Sequence, residues 1–79
     1  MSASAPARLA AGRISLRING EPRELSERTS VATLVAELAP EARMVAVERN
    51  GEIVPRARWA DTMLAPDDLI EIVRFVQGG

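Results

Sequence analysis

No cysteine, histidine, tyrosine or lysine occurs in the 79 residues. Without cysteine the chain has no thiol nucleophile, disulfide or thiolate metal site, and without histidine it has no imidazole base or ligand. Without lysine it forms no Schiff base, and all 10 basic residues are arginines. A dominant charge of either sign is also missing: the net charge is -1, so no nucleic-acid partner is expected. Uninterrupted apolar runs span only a few residues, and the N-terminus lacks a basic region followed by an apolar one. No membrane association is therefore expected. A cysteine-free chain this small suits a reducing compartment, and the expected location is cytoplasmic.

What is present suits one small domain, since 47% of the residues are apolar and 79 residues leave no room for a second core. Residues 1–12 are rich in Ala, Ser and Pro without periodicity and read as a disordered extension, leaving 13–79 as the domain. Ile14, Leu16 and Ile18 alternate with polar residues up to Asn19-Gly20, the dipeptide of a type I′ hairpin turn. A second short strand over Glu21–Leu25 follows, with Pro22 pointing to a sheet edge and Leu25 facing the core.

Thr29 or Ser30 is placed to cap a helix whose stripe is Val31, Leu34, Val35 and Leu38, ending before Pro40. Val45 and Val47 mark a third strand running to Asn50-Gly51, another hairpin signal, and Glu52-Ile53-Val54 forms a brief fourth strand stopped by Pro55. Both Asn-Gly-Glu triplets are explained by hairpin chemistry. Residues 56–64 read as an irregular or short helical connection anchored by Trp59 and Leu64. Leu69–Val76 is apolar on both faces, with Ile70, Ile72 and Val76 on one and Leu69, Val73 and Phe75 on the other, which makes it a central strand. This order predicts an α+β fold, a β-grasp (ubiquitin-like) roll with a mixed four- to five-stranded sheet and one main helix packed on one face.

One helix covers one face of such a sheet. The second row of the final strand is then either a docking surface, with Phe75 its leading residue, or packed beneath the Trp59 connection. Asp61, Asp67, Asp68 and the glutamates have no His, Cys or Lys partner and read as solvent-facing, turn or capping groups; the arginines read as solvent-facing, and no metal site is expected. The chain carries no phosphate-binding glycine loop. Its distinctive end is Phe75-Val76-Gln77-Gly78-Gly79, where glycines lacking Cβ can thread a narrow channel and deliver the terminal carboxylate to an activating group.

The stretch VAVERNGEIVPRARW, Val45 to Trp59, followed by APDDLIEIVRFVQGG, closely resembles the ThiS family, the sulfur carriers of thiamin thiazole biosynthesis; the similarity runs over residues 14–79. The NGEIVPR segment with Trp59 discriminates most, because a Gly-Gly end is shared by other ubiquitin-like carriers. The resemblance implies that the Gly79 carboxylate is adenylated by a ubiquitin-activating-like adenylyltransferase of the ThiF type. It is then converted to a thiocarboxylate with sulfur that originates from cysteine, and donates that sulfur to thiazole synthase of the ThiG type. It implies a protein cosubstrate rather than an enzyme, with no bound cofactor; ATP is used by the activating enzyme. Phe75, Val76, Gln77 and Gly78 would contact the partners, with Val76 to Gly79 entering their active sites. Relatives commonly have Gly-Asp where Pro66-Asp67-Asp68 stands, so Asp67 or its neighbour would occupy a turn conformation that glycine prefers. The molybdopterin synthase small subunit, another sulfur-metabolite carrier, a ubiquitin-like conjugating protein and a β-grasp docking module that is never activated are the alternative readings.

Overall fold

The computed structural model describes residues 12–40 and 44–75. The expected disordered extension, apart from Gly12, and the tail residues Val76, Gln77, Gly78 and Gly79 lie outside the described residues. Five strands, β1 (Arg13–Ile18), β2 (Glu21–Ser26), β3 (Val45–Arg49), β4 (Glu52–Ile53) and β5 (Leu69–Arg74), form one sheet ordered β2-β1-β5-β3-β4. β1 and β5 run parallel, and the other pairs are antiparallel. The one α-helix among the described residues, α1 (Val31–Leu38), crosses from β2 to β3. The β-grasp roll expected from the element order is therefore the observed fold, with β5 central and Pro22 on an edge strand as anticipated.

Alternation decides which residues make the core. Ile14, Leu16 and Ile18 of β1, Val45 and Val47 of β3 and Ile70 of β5 point to the helix side, where Val31, Leu34 and Val35 meet them. Leu25 and Leu38 pack at the margin of this cluster. Ser30 caps α1 by accepting from the Thr33 N–H at 3.1 Å. The connection after β4 is a 3₁₀ helix, Arg56–Asp61, that seats Trp59 and leads to Leu64, both buried. The Trp59 indole N–H donates to the Val54 carbonyl at 2.9 Å, and the Arg56 guanidinium lies 4.6 Å from the centre of its ring. This connection is tied to the helix N-terminus, through Val31 N–H to the Thr62 carbonyl and Leu64 N–H to the Thr29 carbonyl. It therefore lies beside the helix and not across the other face of the sheet.

The two Asn-Gly turns do more than reverse the chain. Asn19 and Asn50 both have φ of 53°, followed by Gly20 at 85° and Gly51 at 87°, the left-handed pair that a type I′ turn requires. At each turn the chain leaves the sheet while β5 still needs an acceptor, and the asparagine side chain supplies it. Asn19 donates its N–H to the Ile70 carbonyl and accepts from the Ile72 N–H on its Oδ1, both at 2.8 Å. Asn50 does the same on the opposite side, donating to the Leu69 carbonyl at 2.8 Å and accepting from the Leu69 N–H at 2.9 Å. Hairpin chemistry alone is thus an incomplete account of the repeated Asn-Gly-Glu triplet, since both copies also clamp the central strand. We expect Asn19→Ala, which loses the acceptor and the tolerance of asparagine for the left-handed region, to cost about 1–2 kcal/mol. Asn19→Asp should cost less. Amide exchange is the check: the Ile72 N–H should exchange faster in the alanine variant, and an unchanged Ile72 rate would refute the clamp.

One charged residue departs from its expected solvent-facing place. Asp68 is 4% exposed, and its carboxylate accepts from Arg49 Nε at 2.9 Å, Asn50 Nδ2 at 3.1 Å and the Ala65 N–H at 2.8 Å. The turn role anticipated for Asp67-Asp68 holds through the Ala65 contact, but Asp68 and Arg49 form a part-buried pair and neither is a solvated surface group. The cause is register: Arg49 stands opposite the inward-facing Ile70, so its side chain turns to the helix side, where Asp68 neutralises it. Asp67 itself has φ of 67°, the glycine-preferring conformation expected at this turn.

Candidate functional site: the end of the central strand and the open sheet face

Among the described residues, nothing folds over the residues of β5 that point away from α1. Leu69, Val73 and Phe75 are 55%, 42% and 52% exposed, and the same face holds Ile53 of β4 at 63%. The register places Ala46 opposite Val73 on this face, and alternation from Val45 adds Met44, 47% exposed. Of the two readings open at the sequence level, the second row is therefore exposed and does not pack under the Trp59 connection. Arg17 of β1 stands beside Leu69, and the Glu48–Glu71 pair interrupts the apolar row between Leu69 and Val73. An exposed apolar patch bordered by charged residues is the composition of a surface that meets another protein.

β5 ends beside this strip. The ladder with β1 finishes at Ile18 and Ile70, extended by the Asn19 clamp to Ile72, whereas β3 stays paired with β5 to Val45 and Arg74. The Phe75 N–H still donates to the Met44 carbonyl at 3.1 Å, so the chain keeps its extended course one residue past the assigned strand. The strand is shorter than the expected Leu69–Val76: it is described as β structure to Arg74. Of the partner-contacting residues implied by the family resemblance, Phe75 is seen on the open face, while Val76, Gln77, Gly78 and Gly79 lie outside the described residues. Met44 and Ile53 were not singled out from the sequence. Extending the Val45/Val47 alternation back by one residue exposes Met44, and pairing Ile53 with Glu48 across the hairpin exposes Ile53.

A concavity of about 250 Å³ lies by the NGEIVPR hairpin and is lined by Arg49, Ile53, Pro55 and Arg58 among others. It sits near where β5 begins, one strand length from Phe75. Among the described residues no helix is long and apolar enough to cross a membrane.

Comparison with known proteins agrees with this geometry. The family model described as the ThiS family matches residues 16–79. The sulfur carrier protein ThiS of Bacillus subtilis is 38% identical over 65 residues, covering 81% of this chain and 98% of that protein. The thiazole synthase of Paramagnetospirillum magneticum is 46% identical over 66 residues, 84% of this chain but 20% of that protein, so the chain spans about a fifth of that relative's length. The crystal structure of the thiamine biosynthesis protein ThiS from Geobacter metallireducens superposes with a TM-score of 0.71 at 32% identity, covering 84% of this chain and all of that one. On the match of model, full-length relative and fold, the chain belongs to the ThiS family.

Proposed function

We propose that this chain carries sulfur as a thiocarboxylate on Gly79 for thiazole formation in thiamin biosynthesis. In this reading the Gly79 carboxylate attacks the α-phosphorus of ATP on a ThiF-type adenylyltransferase, pyrophosphate leaves, and a cysteine-derived sulfur nucleophile displaces AMP from the acyl carbon. The carrier supplies the reacting carboxylate and a grip for its partners; ATP and the groups that activate it belong to the partner enzyme. The observation that carries this reading is the central strand, which ends beside an open apolar face while the chain continues to Gly78-Gly79. Phe75, and beyond it Val76, Gln77 and Gly78, would lie along the route into the partner's active site, where glycine admits close approach. A chain without cysteine has no other sulfur-bearing nucleophile, which agrees with sulfur held at the C-terminus. A reducing cytoplasm suits both this chemistry and the lack of disulfides.

Thiazole synthase is the proposed acceptor. Its support is that a segment of the P. magneticum thiazole synthase is similar to this chain, and two functions joined in one polypeptide meet at high effective concentration. The test is the intact mass of the chain after incubation with ATP, the adenylyltransferase and a cysteine-derived sulfur source. A gain equal to replacing one oxygen by sulfur is expected; an unchanged mass with demonstrably active partners overturns the carrier reading.

The open face makes its own prediction. Val73→Asp puts a charge at the middle of the apolar strip without touching the core, so it should raise KM for the carrier in adenylation by about 10-fold or more while the melting temperature stays close to wild type. Steady-state kinetics beside a thermal melt decide this, and an unaltered KM would move the docking surface elsewhere.

A further inference from the structure

Arg74 occupies a position where the pattern of β5 asks for an apolar residue. Ile70 and Ile72 point to the helix side, and Arg74 follows them on that same face, opposite Val45. Its guanidinium reaches across to α1 and donates to the Leu38 carbonyl. That carbonyl belongs to the last residue of α1, and the last turn of α1 has no basic residue of its own. The cation completing this helix end therefore comes from the strand that leads into the tail. Position in the sheet explains why a brace is needed there: beyond Ile72, β5 has lost its β1 neighbour and is held by β3 alone. Arg74 to Leu38 and Phe75 N–H to the Met44 carbonyl are the last fastenings described before residue 76.

We infer that Arg74 is a positioning residue, whose bond to the end of α1 aims the C-terminal tail, so that a docked carrier presents Gly79 to the activating site. The inference rests on the carrier reading above. Four residues follow Phe75 and span at most about 13 Å, so the reacting carboxylate is tethered within that reach of the base that Arg74 fastens, and a shift of a few ångströms at the base displaces the volume the tail can search. A displacement of that size separates a reacting carboxylate from its target, since productive geometries place reacting atoms about 3–3.5 Å apart. Arg74 lies on the helix side of the sheet, away from the docking strip, so its loss should leave recognition intact.

The experiment is ATP–pyrophosphate exchange by the adenylyltransferase, with full-length wild-type, Arg74→Ala and Arg74→Lys carriers, each also melted thermally. For Arg74→Ala we expect kcat to fall about 10-fold with KM for the carrier within about twofold of wild type, because the tail is misdirected and docking is not. Arg74→Lys keeps a donor and a charge for the Leu38 carbonyl and should restore most of the rate. An alanine variant with wild-type kcat, or one whose loss lies wholly in KM or follows a collapsed melting temperature, overturns the inference and leaves the carrier reading standing. A wild-type carrier that supports no exchange overturns both.

Discussion

Removing Gly78 and Gly79 should abolish thiocarboxylate formation outright, with the mass of the truncated chain unchanged after incubation with ATP, the adenylyltransferase and a sulfur donor. The effect is expected to be complete because the new terminal carboxylate, on Gln77, falls two residues short of the reacting position and carries a side chain where glycine admits close approach. The chain has no cysteine, and the described carboxylate side chains sit on the folded domain. The fold should survive, because the described core runs from Ile14 to Ile70 and includes nothing beyond β5. A melting temperature near that of the full chain beside zero sulfur incorporation is therefore the expected pair of results. Gly79→Ala is the gentler variant: a β-carbon next to the reacting carbonyl obstructs close approach, and the adenylation rate should fall by about 10-fold or more. A truncated chain that still supported thiazole formation would favour a docking module acting through the open sheet face alone.

The second large effect concerns stability. Asp68→Ala removes the acceptor shared by Arg49, Asn50 and the Ala65 N–H, leaving a part-buried guanidinium and a turn amide without that partner. Breaking such a pair from one side costs about 3 kcal/mol or more. In a domain of this size each kcal/mol lowers the melting temperature by about 4–8 °C, so a drop of at least about 12 °C is expected. Asp68→Asn keeps the shape and part of the acceptor capacity and should lie between alanine and wild type. The double variant Arg49→Ala/Asp68→Ala should be less destabilised than the sum of the single changes, since it leaves no orphaned charge. Thermal melts of the four proteins test this, and strict additivity would show that the two side chains do not depend on each other. The loss should be structural in origin: Asp68 ties the start of β5 to the β3–β4 hairpin and lies at the opposite end of β5 from the tail.

The sequence by itself determined the elements and their kinds. Period-two alternation in Ile14, Leu16 and Ile18 and in Val45 and Val47, the helical spacing of Val31, Leu34, Val35 and Leu38, and the two Asn-Gly turns are local signals written in consecutive residues. They sufficed for the β-grasp order and for β5 as the central strand. Local signals also exposed the glycine tail and the family likeness, because both are contiguous stretches of sequence.

Tertiary structure decided what depends on residues far apart in the chain. Whether Leu69, Val73 and Phe75 lay beneath the Trp59 connection was settled only when that segment was seen hydrogen-bonded to the start of α1, leaving the face open. Asp68 looked like a solvated turn residue because its partners, Arg49 and Asn50, are 19 and 18 positions away. The second duty of Asn19 spans 53 positions, and the brace from Arg74 to Leu38 spans 36. Hydrogen bonds across such separations follow from strand register and the crossing of the helix, and neither is set by any short window of residues.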